Sequence, residues 1–345
     1  MAERQVKQWI TIDGNHVPIY EGESKQDAFN RSVAMMNENK KKVDIERNQK
    51  EAERLNNPSK VKDKIQLPKG IDKRFDADII SVADHMHDEF PEASEIHSVI
   101  EGSVAEMGGE GVIASMDGLG RLRVRSDLLN DYDATQRICK AQTDSGFLAG
   151  DGSLENTVFA HEFAHNLDHS LAETVMNYAP SRVSKTGIIK NESMAERYSK
   201  VFNKELKIGD EIQVPEVDHE TPFVNIDGKL YNYDSLSDNI SNLIVPLAIS
   251  NIQDNWKNLG FAEKPTTKQI VSQLSGYAFR AFYQNKDFYA ETFAESYANY
   301  KSFGSDANVL SQEIMRLTHQ LYNSTVSNNK NGVADFYMRL YDSMD

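Results

Sequence analysis

His161 and His165 stand four residues apart in His161-Glu162-Phe163-Ala164-His165, the strongest chemical signal in the chain. On a helix, positions four apart differ by about 40° in azimuth and about 6 Å in rise. Both imidazoles therefore leave from one face and can meet a single metal ion. Glu162 leaves beside the first histidine, where it can take a proton from an attacking water. A random ordering of a chain with 9 His in 345 residues yields H-E-x-x-H on the order of two times in a hundred. Two imidazoles plus a carboxylate suit zinc, one ion per chain, with a fourth position left open. Zinc brings a bound water to a pKa near ~7, polarises a scissile carbonyl and stabilises the oxyanion. With Glu162 as general base, later passing its proton to the leaving amine, the chemistry is amide hydrolysis.

The third ligand is not fixed by this motif. The extended metzincin pattern needs Gly at 168 and His at 171, but the chain has Asp168 and Leu171. His169 lies two turns beyond His161, too far along to share the ion. Two later acidic segments compete. Glu192 and Glu196 form an E-x-x-x-E pair, and Asp287, Glu291 and Glu295 repeat at i, i+4 on one face. Such a pair suits one carboxylate on the metal and another orienting a ligand histidine.

The elements that must position these residues are mainly helices. The glycine-bearing loop 146–153 leads into a helix over about 154–175, with Leu154, Val158, Leu167 and Leu171 as its apolar stripe. A helix is predicted over about 78–90, another over 239–259, and further helices from Thr267 to the end. Alternating apolar residues between 96 and 125, with Asp117-Gly118 as a turn, predict a small sheet. The stretch 214–233 reads as a second hairpin turning at Asp227-Gly228. Helices outnumber strands and do not alternate with them, so the expected class is α+β.

His161 to Asp168 reads HEFAHNLD and 287–297 reads DFYAETFAESY. Together they resemble the zincin metallopeptidase domain of the anthrax lethal factor family and its phage- and prophage-encoded relatives. The loop 144–153, with Ser145-Gly146-Phe147, is similar to the phage relatives. The resemblance covers roughly 75–175 and 265–305. It implies a zincin-like fold, a ligand set of His161, His165 and a later acid, and Glu162 as base. Glu291 is the preferred third ligand, with Glu295 behind it; Asp287 and Glu192 stay as alternatives. The resemblance also implies a tyrosine that aids the transition state, Tyr277 within Ser275-Gly276-Tyr277-Ala278, or else Tyr283. The gap from His165 to Glu291 implies an insertion at about 180–265. Thr11 to Ile19 is similar to a short segment of phage minor head and capsid-associated proteins.

The chain carries 38 Lys/Arg against 53 Asp/Glu, a formal charge of −15. Residues 1–75 hold 16 basic and 12 acidic residues, so this +4 leaves −19 for the rest. Residues 1–70 read as a polar, helical arm and linker starting near Ser24, and 71–345 as the metallopeptidase domain. The acidic balance argues against nucleic acid or an anionic membrane as partner. No signal peptide or membrane span is visible, and the lone Cys139 reads as a small buried hydrophobe. The expected location is the cytosol of a bacterial host, or a virion. The expected partner is a specific protein or peptide substrate, with phage head or capsid proteins as further candidates. The rival functions are an assembly protein with a degenerate site and a toxin-like effector protease. His85 and His87, two apart, point to different sides of a helix, and Gly108-Gly109-Glu110-Gly111 reads as a turn.

Overall fold

The computed structural model describes residues 6–12 and 15–20, isolated positions from 22 to 30, and 59–327 apart from 92, 94–97, 108, 118–119, 179–182, 217–223, 233–234 and 237. The chain divides into two units, Met1–Ser59 and Lys60–Asp345. In the first, β1 (Val6–Ile12) and β2 (Asn15–Tyr20) pair antiparallel with Thr11 opposite His16. A β-hairpin thus precedes the predicted helical arm. Ser24 and Asp27 exchange the hydrogen bonds of a capping box, where that helix was expected to begin. Most of the predicted arm and linker, 31–58, lies outside the described residues.

The second unit is α+β and dominated by helices, as expected. Val61 and Ile65 are already buried in its core. Helix α1 (Lys73–Glu89) is capped by Asp72, whose carboxylate accepts the Arg74 N–H. A three-stranded sheet follows in the order β3 (Ser98–Gly102), β5 (Arg121–Arg125), β4 (Ala114–Met116), with β3 parallel and β4 antiparallel to β5. The predicted hairpin is the β4–β5 pair, although Gly118 itself lies outside the described residues. Helix α2 (Tyr132–Asp144) buries Cys139, and burial pushes its thiol up to about 12.

The helix predicted from 154 begins as one wide π-helical stretch, Leu154–Phe159, and continues as α3 (Ala160–Tyr178). All four residues of its predicted apolar stripe are buried. Between 183 and 216 lie β6 (Val183–Ile188), α4 (Glu192–Phe202) and β7 (Glu211–Glu216), with their own small core of Ile189, Leu206 and Ile212. The hairpin expected over 214–233 is smaller than predicted. Val214 belongs to β7, which pairs with β6, and only β8 (Val224–Ile226) and β9 (Lys229–Tyr231) flank the turn. Asp227 and Gly228 both have positive φ, 51° and 79°, the conformation a tight two-residue hairpin turn requires.

Helix α5 (Ser241–Asp254) follows, and then α6 (Thr267–Ser272), α7 (Gly276–Gln284), α8 (Phe288–Phe303) and α9 (Val309–Tyr322). The stretch expected as an insertion therefore has two characters. Residues 183–216 form a satellite, whereas Ile244, Val245 and Ala248 of α5 are fully buried in the main core. Every residue of α8 from Thr292 to Asn299 is buried, and α3, α5, α7 and α9 all pack on it. A helix covered on all sides need not be amphipathic. Among the described residues no helix is long and apolar enough to cross a membrane.

Glu89, at the end of α1, is largely buried 3.6 Å from His85 and 4.0 Å from His319. Burial pushes its carboxyl up to about 7, and Lys301 and Tyr297 offset that only in part. A raised carboxyl favours the protonated folded state, so its contribution is full below about pH 4.5 and is lost as pH rises through about 7. Glu89→Gln should therefore be more stable than wild type at pH 8, by up to about 3 kcal/mol, with little advantage at pH 4. Urea unfolding at the two pH values checks this; an equal difference at both would contradict it.

Candidate metal centre

His161 sits in the first turn of α3, and its partner carboxylates come from the buried face of α8. Three atoms converge. His161 Nε2 and His165 Nε2 are 3.1 Å apart, and Glu291 Oε2 lies 3.3 Å and 3.4 Å from them. Ligands 2.0–2.1 Å from a tetrahedral ion stand about 3.3–3.4 Å from one another, so the three atoms already have the spacing of a shared ion. The carboxylate oxygen pointing at the imidazoles is buried without a hydrogen-bond donor. Buried polar atoms without partners are costly, and a cation at their common centre would satisfy all three. Among the described residues this is the one His/Cys/Asp/Glu group able to hold a metal ion.

The surroundings fix each ligand. Glu295, one turn after Glu291 and 1% exposed, has Oε1 2.9 Å from His161 Nδ1. Its Oε2 accepts the Ala149 N–H at 2.6 Å. A carboxylate beside Nδ1 orients the ring and leaves Nε2 turned to the cluster. The loop carrying Ala149 is strapped to α7: Gly276 N–H and Tyr277 N–H donate to the Gly146 and Phe147 carbonyls, each at 2.8 Å. Gly276 makes the approach close: a Cβ would stand 3.2 Å from the Gly146 oxygen and 3.3 Å from Phe147 Cα, so the loop would have to give by a few tenths of an ångström.

Glu162 faces the same cavity, about 710 Å³ in volume, and its Oε2 accepts the Met116 N–H of β4 at 2.7 Å. Burial raises its carboxyl above the usual range. Burial acts on the ligands too, but charge outweighs it. Glu291 and Glu295 hold the His161 imidazolium well above its ordinary value, and the two histidines hold Glu291 below its own. Tyr277 O–H donates to Glu291 Oε1 at 3.3 Å, and burial with the nearby acids pushes its phenol up.

The structure thus brings His161, His165, Glu291, Glu162 and Tyr277 together. It does not bring in the alternatives. Glu192 lies on α4 in the satellite, away from the cluster. Asp287 is the residue before α8, at a φ of 51°; it lines the cavity but not the cluster. Tyr283 is 69% exposed beside Phe279 and Lys268. His169 bonds through Nδ1 to the Asp238 carbonyl at 2.9 Å, and among the described residues His85 belongs to no group of three or more metal-ligating side chains. Asp168 is buried and accepts the Ser241 N–H at 2.7 Å, tying α3 to the start of α5. Burial pushes its carboxyl up to about 6. Sequence reasoning missed the two backbone donors, Met116 and Ala149, because an N–H carries no residue-type signal. Compared with protein-family models, curated proteins and solved structures, the chain gives no match.

Glu295→Gln should weaken metal binding about 10- to 100-fold, while Asp287→Ala and Glu192→Ala leave it unchanged. Competition with a chelator of known affinity measures this. Equal losses in all three variants would contradict the assignment.

Proposed function

We propose that this protein is a zinc-dependent metallopeptidase of zincin type, hydrolysing peptide bonds in a protein or peptide substrate. The observation that carries the reading is the convergence of two imidazoles and one carboxylate beside an independently held glutamate in a cavity. The donor set suits zinc: two borderline nitrogens and one oxygen, with room for a fourth ligand on the cavity side. Zinc bound there supplies a Lewis acid and lowers the pKa of a water at the site.

The remaining steps belong to side chains of this chain. Glu162 accepts a proton from the attacking water as its oxygen bonds to the carbonyl carbon. It then delivers that proton to the amide nitrogen as the C–N bond breaks, leaving an acid and an amine. Met116 N–H fixes one carboxylate oxygen and leaves the other to carry the proton. Tyr277 O–H, a donor at neutral pH, can leave Glu291 to stabilise the developing oxyanion. Glu295 keeps His161 oriented throughout.

A site that had lost catalysis and kept only a structural ion would need the ligands but no base. Glu162 in place, anchored and facing the cavity, favours the enzyme reading over the assembly reading. Glu162→Gln should keep stoichiometric zinc and lose at least about 10²-fold in peptide hydrolysis. Metal analysis paired with a quenched-peptide assay tests this; unchanged hydrolysis in the variant would contradict the reading.

A further inference from the structure

The acids lining the cavity beside the cluster are Asp117, Glu162, Asp168, Asp287 and Glu291, and its one Lys or Arg among the described residues is Arg280. Asp117 is already paired with Arg121 at 2.7 Å. Arg280 stands on α7 three residues after Tyr277, and helix positions three apart share a face with Cβ atoms about 5–6 Å apart. Tyr277 reaches Glu291 from that face, so the same face is turned to the metal site. The Arg280 side chain is exposed and makes no hydrogen bond or ion pair among the described residues. An arginine that held α7 in place would be packed or paired; this one is neither.

The charge balance makes the position selective. Three glutamates, Glu162, Glu291 and Glu295, surround the centre, and with Asp117 paired and Asp168 buried, Arg280 and Asp287 are the other charged side chains of the wall. The whole chain carries −15, so its general field disfavours an acidic ligand. An acid is matched at one place in the cavity, the planar guanidinium fork, which suits a carboxylate in two-pronged contact.

We propose that Arg280 is a specificity-determining residue that binds a carboxylate of the substrate close to the scissile bond. That carboxylate is either an Asp or Glu side chain or a free C-terminus. The proposal rests on the metallopeptidase reading and names its substrate class.

The test uses the full chain and three short peptide hydroxamates, whose hydroxamate group anchors them on zinc. One carries Glu and a C-terminal amide, one Gln and an amide, and one Gln and a free C-terminal carboxylate. Calorimetric affinities are measured for wild type, Arg280→Ala and Arg280→Lys, with the zinc content of each. Wild type should bind one acidic probe about ten-fold more tightly than the neutral one. Arg280→Ala should reduce that ratio to about two-fold or less at unchanged zinc content, and Arg280→Lys should keep part of it. The probe that shows the preference separates a side-chain acid from a terminal one. Equal binding of all three by zinc-loaded wild type, or a preference that survives Arg280→Ala, overturns the proposal and leaves the peptidase reading standing. A wild type that holds no zinc overturns both.

Discussion

The site depends on one buried carboxylate. Glu295 lies inside α8, a helix enclosed by other helices, and is 1% exposed. Removing a carboxylate from water costs several kcal/mol unless it is paired and hydrogen-bonded. Its two oxygens meet that need from different parts of the chain, the His161 imidazole on α3 and the Ala149 N–H on the loop before it. One side chain thus ties together two helices and the loop that in turn straps α7. The register of α8 is also fixed, because its residues from Thr292 to Asn299 are all buried. With Glu295 held, Glu291 must fall one turn earlier, at the cavity and against both imidazoles.

The parts of the site that lie in one stretch of sequence could be read from it. The spacing of His161 and His165 specifies a shared helical face, and the repeat of Asp287, Glu291 and Glu295 specifies another. The sequence could not choose between Glu291, Asp287 and Glu192, because that choice depends on which helix packs against α3. Burial decides it: α8 is a core helix, while α4 belongs to the satellite around Ile189, Leu206 and Ile212. Asp287 is set aside by local geometry, since at a φ of 51° it precedes the helix.

Fold prediction followed the same division. Amphipathic helices and the β4–β5 hairpin were legible from periodicity and turn residues. The β6–β7 pairing was not, because its strands are more than 20 residues apart and neither is long. The character of α5 was also hidden: its position suggested an insertion, yet its apolar residues complete the main core. Backbone groups were the other gap. Met116 anchors Glu162 through an N–H that any residue type would offer, placed by a three-residue edge strand. The catalytic reading therefore joins a local motif to contacts that only the folded chain supplies.

The most direct test of the metal centre is a crystal structure of the protein with anomalous diffraction recorded on both sides of the zinc absorption edge. The account predicts a single strong zinc peak about 2.0–2.2 Å from His161 Nε2, His165 Nε2 and a Glu291 oxygen. A peak held by other residues, or none in zinc-supplemented crystals, would contradict it.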